Sequence, residues 1–190
     1  MKLFCFCVTI IERGVLVGFW SGGSFMYQAG QYVIYGIHGA CRVVGTEKQL
    51  VNRKRTEYLV LEPLYKSESK FYLPTQNPTA LAKLAPVLPK DELEALIASD
   101  EIRKGCWIQE ENLRKQHYRE LTATGNRIAL MQMVCALYRY KDEQMASGRK
   151  FHQCDDNFLR DAERQLTSEI SLVMGMEQDK AREYLRTQLR

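Results

Sequence analysis

The chain has 190 residues, enough for one or two domains, and at 45% hydrophobic and 26% charged it has an ordinary soluble composition. Its net charge of +4 is mildly basic, compatible with a nucleic-acid partner without demanding one. The six cysteines, at 5, 7, 41, 106, 135 and 154, include no C-x-x-C, and the C-x-C of Cys5 and Cys7 supplies too few ligands for zinc. They read as free thiols in a reducing cytoplasm, and neither a metal nor a cofactor is expected.

The first 25 residues open on Lys2 and the apolar run Leu3–Ile11, in the manner of a short signal peptide. Glu12 and Arg13 end that run, no A-x-A cleavage site follows, and the run is far short of the ~20 residues needed to span a bilayer. Met26 stands directly before the first predicted strand. Residues 1–25 are therefore expected to be an over-extended gene start, with translation from Met26, or a disordered leader.

Residues 26–76 read as a small β domain. Gln31–Tyr35 gives a first strand, and Gly36-Ile37-His38-Gly39 a turn in which glycine supplies backbone angles other residues resist. Cys41–Leu50 gives a second strand, Asn52-Arg53-Lys54-Arg55 a basic hairpin loop, Thr56–Glu62 a third strand and Phe71–Leu73 a fourth. Nothing after Pro74 reads as β. So small a sheet buries little surface and is expected to curl into a Tudor/SH3-like antiparallel barrel and lean on a neighbour. His38 fits a structural turn residue, since no carboxylate or second histidine stands at ligand spacing.

Residues 77–90, with Pro78, Pro86 and Pro89, read as a connector. Residues 91–190 follow as an all-α bundle of four or five helices, which makes the fold α+β. Pro89 and the acids Asp91 and Glu92 start a short helix that Ser99-Asp100 breaks. A charged helix spans about Glu110 to Leu121, with a stop and restart at Thr124-Gly125-Asn126. The helix over about Arg127–Ala146 carries an amphipathic face through Leu130, Val134, Leu137 and Tyr138 and ends near Gly148. Asp155 or Asp156 is expected to cap the next helix, whose stripe runs Phe158, Leu159, Ala162, Leu166, Ile170, Val173 up to Gly175. Glu177–Leu189 is the last.

Trp107 carries the most functional interest. It follows Arg103 and Lys104 and precedes Arg114, Lys115 and Arg119. A tryptophan so placed is either a core anchor between connector and bundle, or a partly exposed ring flanked by cations that wedges against a base step in the minor groove. Arg114 and Lys115, and more weakly Arg149 and Lys150, read as phosphate contacts or as a solvated helix face interleaved with Glu110, Glu111 and Glu120.

The string G-x-Y-V-x-Y-x-x-H-G from Gly30 to Gly39, the charged loop, Glu57-Tyr58-Leu59-Val60-Leu61 and the strand ending at Pro74 resemble the CarD/CdnL family of bacterial transcription regulators. The same β module is similar to the RNA-polymerase-interacting domain of the transcription-repair coupling factor. Gly148-Arg149-Lys150-Phe151-His152, then Asp155 and Phe158-Leu159-x-x-Ala162-Glu163, resemble the helical domain of Gram-positive relatives. The chain departs from the family at Gly36, where relatives usually carry proline, at Cys41, where small residues are common, and at Gln49, near a place where some carry arginine.

The resemblance implies a non-enzymatic regulator that binds the RNA polymerase β subunit through its β domain, with Lys48, Gln49, Leu50, Lys70 and Tyr72 in contact. It implies that the helical half, through Trp107 with Arg114, Lys115, Arg149 and Lys150, meets promoter DNA at the upstream edge of the bubble and stabilises the open complex. A cytoplasmic monomer, nucleoid-associated through polymerase and without a membrane partner, is expected. The rival is a Tudor/SH3-like protein-interaction adaptor without direct DNA contact, in which Trp107 is core. An enzyme using Cys106 or Cys154 with His117 or His152 lacks an orienting group and a recognisable motif.

Overall fold

The computed structural model describes residues 27–51, 53–65 and 69–190. The leader and the Met26 start lie outside these residues, as does Asn52.

The order is β1 (Tyr32–Tyr35), a 3-10 turn (Gly36–His38), β2 (Gly39–Val51), β3 (Lys54–Pro63), β4 (Phe71–Pro74), α1 (Pro78–Leu81) and β5 (Leu84–Pro86). Then come α2 (Lys90–Ala98), a 3-10 turn (Ile102–Lys104), α3 (Glu111–Thr124), α4 (Arg127–Ala146), α5 (Gln153–Met174) and α6 (Gln178–Leu189). All strand pairs are antiparallel, in the order β4-β3-β2-β1-β5. The α+β reading therefore holds.

The sheet differs from expectation in three ways. The β2–β3 ladder runs out to Val51 opposite Lys54, so Lys54 and Arg55 belong to β3 and not to the loop. Arg53 takes up the turn with a left-handed φ of 63°. A fifth strand comes from the connector: Leu84, Ala85 and Pro86 pair with Tyr35, Ile34 and Val33. A proline is tolerated there because β5 is an edge with no ladder to feed on its outer side. Finally, the ladders among the described residues form one open line with β4 and β5 at its ends, rather than a closed barrel. β1 and β5 are only four and three residues long, which leaves little backbone to curl round to β4.

The sheet covers itself with a helix instead. One face packs Val33, Cys41, Val43, Leu59, Leu61 and Leu73 into a small core. On the other face Ile34 and Ala40 pack with Val87 against Leu172 and Val173 of α5. Polar side chains of α5 tie this joint. Ala40 N–H donates to Ser168 Oγ at 2.9 Å, the Tyr65 hydroxyl meets Ser171 Oγ at 2.8 Å, and Leu88 N–H donates to Glu169 Oε1 at 3.1 Å. Gly39 is demanded here, because a Cβ on it would sit 2.2 Å from Ser168 Oγ. Arg127 adds an ion pair to Glu169 at 2.5 Å and donates to the Pro86 carbonyl.

In the helical half, Glu110 caps α3 by accepting from Asn112 N and Leu113 N, and Gly125 ends it with a φ of 66°. Asn126 caps α4. That helix is buried continuously from Met133 to Tyr138 rather than along one stripe, as befits the central member of a bundle. α5 begins earlier than expected, with His152 at its N-cap position. Asp155 and Asp156 fall in the first turn, where the helix dipole favours them, and are not caps. Glu163, 2% exposed, ties three helices by accepting from the Tyr138 hydroxyl at 2.6 Å and Arg186 Nε at 3.1 Å. Burial first, and then that carboxylate, push the Tyr138 hydroxyl pKa up. No helix among the described residues is long and apolar enough to cross a membrane.

Candidate functional site

Trp107 lies in the segment between the 3-10 turn and α3, and three arms hold that segment. At its start, Gly105 is pressed against α4, where a Cβ would lie 2.0 Å from the Gln132 carbonyl oxygen. Arg139 of α4 donates to the carbonyls of Arg103 and Gly105. At its end, Arg114 Nη1 donates to the carbonyls of Ile108 at 2.8 Å and Gln109 at 3.3 Å. The indole itself stacks on Tyr140, with centroids 3.5 Å apart and planes 12° from parallel, and the Arg114 guanidinium lies 4.2 Å from its centroid. Trp107 is half-buried against the helical core.

Arg114 is the first correction to the expected DNA contacts. It is 5% exposed and gives a two-pronged ion pair to Asp155, itself 1% exposed, with Nε–Oδ1 at 3.0 Å and Nη2–Oδ2 at 3.1 Å. Burial works against its charge, but the hydrogen bonds and charge of Asp155 outweigh that and the pKa rises. With every prong engaged inside the protein, Arg114 is no phosphate contact; it organises the Trp107 segment. Lys115 keeps about a quarter of its side chain exposed and pairs with Glu111 one turn away. Arg149 and Lys150 are exposed in the α4–α5 loop.

Those two cations precede Phe151, whose ring lies 6.3 Å from Tyr140 and carries the Lys141 ammonium 5.1 Å above it. Trp107, Tyr140 and Phe151 thus form a row of aromatic rings, and Arg149 and Lys150 directly precede Phe151 in the chain. Tyr140, Phe151 and Asp155 were not singled out from the sequence as site residues. Tyr140 sits off the apolar stripe of α4, and Asp155 meets Arg114 across 41 residues of chain, a pairing no local spacing reveals.

The five residues expected on the β side do not form one patch. Side chains alternate faces along a strand. In the register Lys48↔Glu57, Gln49↔Thr56, Leu50↔Arg55 and Tyr72↔Val60, Lys48 and Leu50 share one face, while Gln49 and Tyr72 share the other. Leu50 is 70% and Tyr72 43% exposed, and Lys48 and Lys70 are exposed too. Gln49 is half-buried and donates to Glu47 Oε1 at 3.4 Å. Tyr72 meets Tyr58 edge-on at 6.4 Å. Among the described residues the two end strands β4 and β5, and β2 beyond the bulge at Val43/Gly45, lack an outer strand partner.

Residues 27–85 match the family model described as the CarD-like/TRCF RID domain. This segment is similar to CarD-like/TRCF RID domains. The type takes its name from interaction with RNA polymerase. Its span covers β1 to β4 and α1 and ends inside β5, so the RID domain and the five-stranded sheet coincide. The helical half, with Trp107, lies beyond the match. No curated protein matches the chain.

Proposed function

We propose that this protein is a non-enzymatic transcription regulator with two contacts, one to the RNA polymerase β subunit and one to promoter DNA at the upstream edge of the bubble. The observation that carries the reading is the RID domain joined by a polar, close-packed interface to a helical half that presents an aromatic row beside exposed cations. The RID domain offers the open outer edges of β4 and β2 for strand addition, in which main-chain hydrogen bonds give affinity and flanking side chains such as Tyr72 and Leu50 give selectivity.

Docking by the RID domain raises the local concentration of the helical half over the DNA, so weak intrinsic affinity suffices. That accords with a net charge of only +4. There the exposed part of Trp107 meets the base step at the bubble edge, while Arg149, Lys150 and Lys115 face phosphates. Preferential binding to the open complex lengthens its lifetime. The protein acts as a monomer in the cytoplasm, at the nucleoid through polymerase.

The test is open-complex lifetime on a ribosomal RNA promoter with cognate polymerase, comparing the full chain with its Trp107→Ala variant after circular dichroism has shown both folded. The wild type lengthens the lifetime and the variant does not. Equal lifetimes with and without the wild-type protein would sink the proposal. A second reading, a protein-interaction adaptor, draws on the half-burial of Trp107 and its stack on Tyr140. It requires Trp107→Ala to unfold the bundle and polymerase binding to persist without any change in lifetime.

A further inference from the structure

The Trp107 ring is fixed before any partner arrives. Its segment is clamped at Gly105 by α4 and Arg139, and at Ile108 and Gln109 by Arg114, whose own orientation is set by buried Asp155 at the start of α5. Between these clamps the ring lies against Tyr140, nearly parallel and 3.5 Å away. A tryptophan held only to fill a core would need no such support, because apolar contact is not directional. A ring that must meet a partner in one orientation gains from having its rotamer set in advance, since ordering a side chain on binding lowers affinity.

We infer that Tyr140, together with the Arg114–Asp155 pair, is a positioning residue: it backs the Trp107 indole so that the ring meets DNA already oriented. This rests on the reading of Trp107 as the DNA contact. The roles differ. Tyr140 supports the ring by its face, and its hydroxyl has no part in this. Arg114 supports the backbone on which the ring hangs, and Asp155 supports Arg114. Substituting phenylalanine for Tyr140 therefore preserves the function, whereas a non-aromatic residue of similar bulk does not.

The experiment uses the full chain with Trp20→Phe, so that Trp107 is the single tryptophan, and adds Tyr140→Leu or Tyr140→Phe. Two quantities are read in each: acrylamide quenching of Trp107 fluorescence in the free protein, and open-complex lifetime with cognate polymerase. Tyr140→Leu is expected to raise quenching and to shorten the lifetime by about two- to ten-fold, the range for one side chain that must be ordered on binding. Tyr140→Phe is expected to match the parent in both. Unchanged quenching in Tyr140→Leu overturns the inference, because the ring is then held without Tyr140. Raised quenching with an unchanged lifetime overturns it too, because the held orientation is then of no use. A Trp20→Phe parent that fails to lengthen the lifetime removes the DNA reading itself, and the inference with it. If circular dichroism shows Tyr140→Leu unfolded, Tyr140→Met goes through the same two measurements.

Discussion

The two halves of the molecule treat an exposed and a half-buried aromatic residue in opposite ways. In the sheet, Tyr72 stands 43% exposed on a four-residue edge strand, with an edge-on contact to Tyr58. In the helical half, Trp107 is stacked on a second ring, lies beside a guanidinium and hangs on a segment clamped at both ends. An edge that recruits a strand draws affinity from backbone hydrogen bonds, so its side chains need little preorganisation. In the proposed contact of Trp107 with a base step a single ring has no such backbone partner, so its geometry would have to come from its own protein.

The largest expected effect comes from breaking the clamp on the helical side. Arg114→Met leaves Asp155 charged and unpaired at 1% exposure. Loss of one partner from a buried pair costs about 3–5 kcal/mol, so urea melts should show the bundle strongly destabilised. A loss below 1 kcal/mol would show the pair to be dispensable. The matched substitution on the sheet side, Tyr72→Ala, removes an exposed side chain and should shift stability by no more than roughly 0.5 kcal/mol.

The joint between the halves comes next. Gly39 has a φ of 73°, and a Cβ there meets Ser168 Oγ at 2.2 Å. Gly39→Ala combines backbone strain with overpacking and should cost roughly 2–4 kcal/mol. Ser168→Ala removes the clashing oxygen but not the strain. The double variant should therefore lose less than the sum of the two single ones, a coupling that a double-mutant cycle measures directly. Strict additivity would mean that the contact does not limit packing.

The elements that announced themselves did so through local pattern. β1 to β4 alternate and carry Val, Ile, Tyr and Leu between turn residues, and α3 to α6 are bounded by Gly125, Asn126 and Gly175. β5 was hidden because three residues ending in proline carry no period of their own; only pairing with β1 makes them a strand. Charge was visible at Arg114 and Arg149 alike, and burial at neither. What separates them is Asp155, which turns one inward while the other stays in an open loop. The importance of Trp107 was readable, but its support was not, since Tyr140 lies far along the chain on α4.

A titration sharpens the same contrast within the sheet. Burial pushes the Cys41 thiol up to about 12 from an ordinary 9.0, and Tyr118 in the bundle is likewise pushed up to about 12 from 10.0, burial again being the main cause. For both groups the unfolded chain gives up its proton at lower pH than the folded one. Their contribution is thus intact below pH 9 and is lost as pH rises through 9 to 12. The melting temperature should fall across that window, and Cys41→Ala should flatten the first part of the fall. At neutral pH, alkylation followed by peptide mass analysis should mark exposed Cys106 early and buried Cys41 late.

The smallest effect is expected where the helical half is most open. Arg149 and Lys150 are exposed in the loop that leads to Phe151, so changing both to alanine should alter stability by less than about 0.5 kcal/mol. If they face phosphates, each releases counterions on binding. The slope of open-complex lifetime against salt, both logarithmic, should then become shallower by up to about 2, close to 0.9 for each phosphate no longer neutralised. Arg114→Lys offers the control. It keeps the charge but loses the planar fork that spans Asp155 and the two carbonyls, so it should damage the placement of Trp107 and leave the salt slope alone. A slope that instead follows Arg114 and ignores Arg149 and Lys150 would move the phosphate contact from the open loop to the buried pair, and the contrast between a preorganised ring and freely solvated cations would fail at that point.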